Sequence, residues 1–273
     1  MTAKTESAYD ASSQPIGLDR EVERLRDQAL MAWEKEARNL EWLGLRDGMA
    51  ILELGSGPGF VTRQLLEMAP GGSVTSVEID PVLIERAEQY LQGYGDGRWR
   101  IVKVSVMETG LPDNSFDFAY ARFLFQHLPD PVGAAKEVFR VLKPGGMFVI
   151  ADIDDGLLIF EPPASPEIEA INERLREDHA SKGGNRRIGR WLPRMLREAG
   201  FDKLDIEMIA LHTDLIGIEK LAPRGSREDL LPMVEQGLIT EQEVDMLQAD
   251  QDLFLSSNPM AMQQLFMVRG TKP

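Results

Sequence analysis

Three glycines, Gly55, Gly57 and Gly59, stand within five residues at the end of the apolar run "ILELGSGPGF" (51–60). Glycine tolerates positive φ and, lacking a Cβ, lets a ligand approach the main chain, so this spacing between a strand and a helix suits a small-molecule cradle. Its composition argues against phosphate. Phe60 stands where a nicotinamide fingerprint would want a further glycine, and Pro58 removes an amide from the turn where pyrophosphate would seek donors. Nineteen residues after Gly59, "VTSVEID" brings Glu78 to the end of a second strand, where a carboxylate can accept both hydroxyls of a ribose. Turn, intervening helix and acid together point to a nucleoside-bearing ligand without phosphates.

Proton transfer has fewer candidates. His127, in "FQHL", is the best placed of three histidines, and a near-neutral imidazole there could take a proton or simply steady the segment after the fourth strand. Asp152, Asp154 and Asp155 in "ADIDDG" crowd the exit of the fifth strand. They could hold a cationic substrate, act as base (Asp152 foremost), or serve as loop acids. His179 and His212 have no visible partner and read as structural. With no cysteine, disulfides, thiolate metal sites and cysteine nucleophiles are excluded, and no H-E-x-x-H or comparable spacing suggests a metal.

These residues need a frame, and the alternation of patterns supplies it. After a helix expected from Asp19 to Leu43, strand-like runs at 49–54, 73–78, 99–104, 116–121 and 146–151 are separated by mostly helical segments, which argues a parallel sheet covered on both faces. Two more strands are expected in "KLDIEMIALH" and near "QQLFMVRG", making seven. Asp80-Pro81 and Asp130-Pro131 mark helix starts, "LKPGG" marks a turn, and "IGRWLPRMLREAGF" reads as a helix closed by Gly200. A further helix lies in "EPPASPEIEAINERLREDHASKGG". The fifty residues between the last two strands, with helix starts at Ser226 and Thr240, are read as a small helical cap. The expected division is an N-terminal arm and helix over 1–45, a core over 46–212, a cap over 213–258 and a final strand over 259–273.

Charge and length narrow the partners. A formal charge of −15 repels a phosphate backbone, so nucleic acid is not expected as a partner. The basic run Lys182–Arg197 and the acidic run Ser226–Asp252 read as solvated helix faces. No apolar stretch reaches the ~18 residues of a membrane span, and the first residues lack the regions of a signal peptide, so no membrane is expected and the cytoplasm is the expected location. A homodimer is compatible with the sequence, which does not encode the oligomeric state legibly.

At this point the chain resembles the class I S-adenosylmethionine-dependent methyltransferases, in the branch acting mainly on small molecules. The likeness rests on "ILELGSGPG", "VEID", "GLPDNSFD", "ARFLFQHLPDP" and "VLKPGG", in that order, over about residues 45–152 and more loosely to 211. It implies a Rossmann-like, doubly wound, mostly parallel seven-stranded α/β sheet and S-adenosyl-L-methionine as cofactor. By position it puts Glu53 and the turn Gly55, Ser56, Gly57 and Gly59 around the methionine part, Glu78 on the ribose and Ile79 against the adenine. Ser105 and Val106 would meet the adenine edge, a hydroxyl at 105 standing where many relatives have an aspartate. Arg122 matches a position whose backbone meets the cofactor's amino-acid end, and Tyr9 lies in an arm that related enzymes fold over the site.

The resemblance also implies a reaction. A sulfonium carries an activated methyl, so alignment of an acceptor and exclusion of water can supply most of the catalysis, with a base needed only if the acceptor must lose a proton. The acceptor is expected to be a small or medium organic metabolite, a secondary metabolite or quinone-like compound being the example in view. "YARF" after strand four lacks the Asp/Asn-Pro-Pro-aromatic pattern of base-methylating relatives, and arsenic methylation would need cysteines. A non-catalytic cofactor-binding sensor or scaffold is the alternative. Crowding at Gly57 is expected to forbid a side chain there, and Glu78→Ala is expected to change stability by no more than about 1 kcal/mol, as for a surface change.

Overall fold

The computed structural model describes residues 17–221 and 226–273; Tyr9 lies outside them. In chain order the elements are α1 (Leu18–Leu30), α2 (Trp33–Trp42), β1 (Ala50–Leu54), α3 (Phe60–Met68), β2 (Ser73–Glu78), α4 (Pro81–Tyr90), β3 (Trp99–Lys103) and β4 (Phe116–Arg122). There follow α5 (Pro131–Val141), β5 (Leu142–Ile153), β6 (Ile159–Glu161), α6 (Pro166–Ser181), α7 (Leu192–Glu198) and β7 (Asp202–His212). Two single-turn helices, α8 (Thr213–Ile216) and α9 (Ile218–Leu221), precede α10 (Arg227–Glu235), α11 (Glu241–Ser256) and β8 (Met260–Thr271).

The strands form one sheet, parallel in the order β3-β2-β1-β4-β5, with β8 antiparallel to β5 on one side and to β7 on the other. Seven strands are those the pattern predicts; the eighth, β6, is three residues long and continues the β5 side of β8 by pairing Ile159 with Met262. Burial on both faces explains why β1 and β4 read as continuous apolar runs. One core cluster joins α5 and α7 to the sheet through residues such as Phe148, Val138 and Leu196, and a second joins α1, α2 and α3 to the opposite face through Leu40, Leu65 and Phe118.

Local chemistry sets the boundaries. Asp80 accepts the Val82 N–H (2.8 Å) and Asp130 the Gly133 N–H (2.8 Å), each followed by a proline at the first turn. Both Ser226 with Asp229 and Thr240 with Glu243 form capping boxes. Two expectations differ. The helix expected over 19–43 is broken at Ala32, which has φ 57°, although no glycine or proline marks the place. The expected turn at "LKPGG" is absorbed within β5 as a register shift opposite Phe116–Phe118, with Gly145 at φ 80° and its N–H bonded to the Lys272 carbonyl (2.8 Å). Finally, α6, α10 and α11 enclose a small apolar core of their own, containing Ile168, Ile171, Leu230, Val244 and Leu247.

Candidate functional site

The turn after β1 is stitched to β2: the Gly55 and Ser56 N–H groups both donate to the Val77 carbonyl, at 2.8 and 3.3 Å. Gly55, Gly57 and Gly59 have φ of +66°, +54° and +83°. They are not equivalent. A Cβ on Gly55 would lie 3.0 Å from Leu124 Cδ1 and one on Gly59 3.0 Å from Leu91 Cδ1, whereas one on Gly57 would meet nothing within 4 Å. The crowding expected at Gly57 is therefore corrected. Its φ disfavours a side chain, and the space beside it is open.

Two acids brace this turn. Glu53 is buried at the end of β1, its Oε2 accepting the hydroxyls of Thr62 (2.5 Å) and Ser76 (2.8 Å); burial pushes its pKa up to about 7 against the pull of those bonds. Glu78, at the end of β2, is only 8% exposed and accepts three backbone amides, from Gly57 (2.8 Å), Ile79 (2.8 Å) and Asp80 (3.0 Å). Burial raises its pKa despite those bonds. Treating Glu78→Ala as a surface change is therefore wrong, because three amides would lose their acceptor at about 1–3 kcal/mol for each that stays unsatisfied.

A cavity of about 390 Å³ opens beside these groups at the carboxyl ends of β1, β2 and β4, where the strand order reverses. Glu53, Gly55, Ser56, Gly57, Glu78, Ile79, Ser105, Val106, Arg122 and His127 all line it; Gly59 lies behind it, packed on α4. Ser105 Oγ accepts the Met107 N–H (3.2 Å), which turns the chain after β3. Asp152 is not among the lining residues. It is fully buried, accepts the N–H groups of Gln126 (3.1 Å) and Ile153 (2.9 Å), and has a pKa raised by burial to about 7. Its carboxylate holds the 3₁₀ turn Phe125–His127 rather than facing the cavity.

His127 does face the cavity, with its ring 5.4 Å from that of His179. Burial, then the nearby charges of His179, Arg186 and Arg24, push its pKa down to about 3, so the imidazole is neutral across the physiological range and a weak base. His179 is tied to the Gln126 carbonyl (3.0 Å). Asp154 is buried against Arg190 (Nη2–Oδ1 2.8 Å), and Asp155 pairs with Arg186 (2.8 Å). The basic run is thus largely taken up by internal ion pairs, Arg187–Glu173 (2.6 Å) among them.

Sequence reasoning missed much of the opposite wall. Arg24, Leu25, Gln28 and Ala29 of α1 line the cavity, as do Phe123, Leu124, Gln126, Leu128 and Arg186. The break at Ala32 lets α2 turn Glu36 under the sheet, where it accepts Tyr120 Oη and the Arg122 Nε–H (2.8 Å), while Arg122 Nη2 donates to the Gln28 carbonyl (2.8 Å). Although burial works against it, the Glu36 charge keeps the Arg122 pKa above its ordinary value. This buried network ties α1 to the end of β4. The one signal available was the apolar spacing Val22, Leu25, Ala29, which marks a covered face without saying what it covers. Among the described residues, α10 and α11 contribute no side chain to the cavity.

The residues suit a polar ligand of nucleoside size. Ser56 Oγ is buried with no hydrogen-bond partner among the described residues, Gly57 borders open space, and acids rather than phosphate-binding amides dominate the β1–β2 side. Residues 52–150 match the family model described as a methyltransferase domain. That match marks residues 52–150 as a methyltransferase domain.

The chain is similar to a sterol 24-C-methyltransferase of Aspergillus fumigatus, 38% identical over 107 residues, covering 39% of this chain and 28% of the relative. A second sterol 24-C-methyltransferase, from Gibberella zeae, is 36% identical over 181 residues, covering 63% of this chain and 44% of the relative. The chain therefore spans less than half the length of these curated relatives. Phosphoethanolamine N-methyltransferase 2 of Haemonchus contortus, solved with S-adenosyl-L-methionine, shares the fold at a TM-score of 0.58 and 19% identity, covering 88% of this chain and 53% of that one. No described helix is long and apolar enough to cross a membrane, and no three described His, Asp or Glu side chains form a metal-holding group.

Proposed function

We propose that this chain is a methyltransferase that moves the methyl group of S-adenosylmethionine to a small organic acceptor. One observation carries the reading: a single cavity is lined by the glycine turn and Glu78 on one side and by Phe123, Leu124, Gln126, His127 and Leu128 on the other, so a nucleoside bound at the first would lie beside the second. Glu78, Ile79, Ser105 and Val106 would hold the nucleoside, and Glu53 with the Gly55–Gly59 turn the methionine part. The bound cofactor supplies a methyl already activated on a sulfonium.

The chain's own contribution is then positional. Leu25 and Ala29 of α1 line one side of the cavity, and Phe123, Leu124 and Leu128 offer an apolar wall against which an acceptor can be aligned. His127 would orient the acceptor by hydrogen bonding more effectively than it would remove a proton, since an imidazole with a pKa of about 3 is a poor base. Asp152 acts through Gln126 and so positions the turn that carries His127. The sterol and phosphoethanolamine relatives differ in acceptor, and the likeness supports a small molecule without choosing among them.

The finer expectations belong to the same proposal. Treating 213–258 as a cap is supported by the packing of α10 and α11 on α6, away from the cavity, in a small apolar cluster that joins the cap to the 46–212 core. Net charge −15 and the ion-paired basic run argue against nucleic acid, and a cytoplasmic location with or without dimerisation is consistent with both. Titration calorimetry with S-adenosylhomocysteine and with NAD tests the cofactor: the first should bind and the second should not, and the reverse order would end the reading. Methyl-labelled S-adenosylmethionine incubated with a metabolite extract tests turnover. Label should pass into an extractable small molecule, and label that stays on the cofactor in every fraction would leave a binding-only protein.

A further inference from the structure

The turn that presents His127 to the cavity is gripped from two sides, and Gln126 is where the grips meet. This residue is 3% exposed, and each of its polar groups is bonded. Its N–H donates inward to Asp152 (3.1 Å), and its side-chain Nε2 donates to the Phe123 carbonyl (3.4 Å). The acceptors are taken by a later stretch of chain: the Gln126 carbonyl accepts the Asn185 N–H (2.7 Å) and His179 Nε2 (3.0 Å), and Oε1 accepts Arg186 Nη1 (3.1 Å). A carbonyl can only accept, so His179 carries a proton on Nε2.

The chain around this latch leaves it little play. The Gly184 N–H donates to the His179 carbonyl (3.1 Å), a Cβ on Gly184 would collide with the His179 ring, and Arg186 is fixed to Asp155 by both its guanidinium (2.8 Å) and its carbonyl (2.9 Å). The His179 ring also meets that of His127 edge-on at 5.4 Å. His179 stands in the last turn of α6, whose Ile168 and Ile171 share an apolar cluster with α10 and α11. Those two helices line none of the cavity, so their path to it runs through α6.

We infer that His179 is a positioning residue for the methyl acceptor: by bonding the Gln126 carbonyl from the end of α6, it fixes the Phe125–His127 turn and links the α6, α10 and α11 cluster to the acceptor side of the cavity. The functional half of this rests on the proposed methyl-transfer reading; the latch itself does not. Asp152 holds the turn from within the sheet and His179 from outside it. An imidazole carried on a turn pinned at both faces can align an acceptor with the precision that in-line transfer demands.

Two measurements on the full chain test the latch and its consequence separately. His179→Leu removes the donor, whereas His179→Gln keeps an N–H of similar reach. By hydrogen–deuterium exchange, the 125–128 amides should exchange about tenfold faster in His179→Leu, the size of one lost hydrogen bond, with β1 and the glycine turn unchanged and with most of the protection restored in His179→Gln. Incubated with methyl-labelled S-adenosylmethionine and a metabolite extract, His179→Leu should transfer label at least about tenfold more slowly than the native protein while its S-adenosylhomocysteine affinity stays within about twofold, and His179→Gln should recover most of the rate. Unchanged exchange at 125–128 in His179→Leu would overturn the inference, as would a native transfer rate in that variant, a matching loss of S-adenosylhomocysteine affinity, or a glutamine variant no better than the leucine one. A native protein that transfers no label would sink the methyl-transfer reading and the acceptor role with it, and the exchange comparison would then decide the latch alone.

Discussion

The cap and the rim of the cavity are both made by helices packing together or on the sheet, yet they are built from opposite materials. In the proposed cap and the α6 helix it packs on, α6, α10 and α11 bury Ile168, Leu230, Val244 and Leu247 against one another and leave their charges outside, as in the Arg174–Glu243 pair (2.8 Å). At the rim, three carboxylates are buried: Glu36, Glu53 and Glu78, each satisfied by hydroxyls, amides or a guanidinium. Burying charge is expensive unless every partner is in place, so the rim departs from the economical solution that the cap adopts. The cap is stable because apolar groups meet; the rim is arranged so that polar groups face a cavity.

That contrast can be broken most forcefully at Glu36. Glu36→Ala would leave Arg122 and Tyr120 buried without their acceptor, and should lower unfolding stability by about 3–5 kcal/mol in urea titration while weakening S-adenosylhomocysteine binding. A loss under 1 kcal/mol would mean that the network is incidental. Leu247→Ala, in the cap, should cost about 3 kcal/mol through the cavity it leaves, with S-adenosylhomocysteine affinity held within about twofold. If affinity falls in step with stability, cap and rim are one unit and the comparison is void.

Smaller changes sharpen it. Glu78→Ala should cost about 2 kcal/mol, read from the thermal midpoint, together with at least a tenfold loss of S-adenosylhomocysteine affinity; a midpoint unmoved would show water replacing the carboxylate on all three amides. The mildest effect is a pH dependence at Glu53. A carboxyl whose pKa rises from 4.5 when unfolded to about 7 when folded holds its proton more tightly in the folded state, so stability falls as pH climbs through that interval and stays low above it. Glu53→Gln removes the penalty and can still accept the Thr62 and Ser76 hydroxyls. Relative to the native protein, its thermal midpoint should be higher at pH 8 than at pH 5, and a difference independent of pH would contradict the raised pKa.

Much of the frame was legible from residues alone. The strand runs, the aspartate-proline helix starts and the Thr240–Glu243 capping box are local devices, each complete within a few residues, and they stand where the pattern places them. The break at Ala32 was not legible because nothing in "LMAW" forbids a helix; Glu36 is drawn into the core by Arg122 and Tyr120, 84 residues or more further along the chain. The same holds for Asp152. Its sequence context at a strand exit is that of a cavity residue, and only the turn folding over it converts it into a buried acceptor for the Gln126 amide.

By itself, then, the sequence determined the sheet, the glycine turn and the acid nineteen residues beyond it, because hydrophobic period, capping and the steric freedom of glycine act between near neighbours. Only the tertiary structure decided which distant side chains share the cavity. It brought Arg24 and Gln28 of α1 to the end of β4, buried Asp152 beneath the Phe125–His127 turn, and kept α10 and α11 outside the cavity. Those outcomes depend on where whole elements dock, and docking is set by the summed burial and pairing of residues far apart in the chain, which no local pattern records.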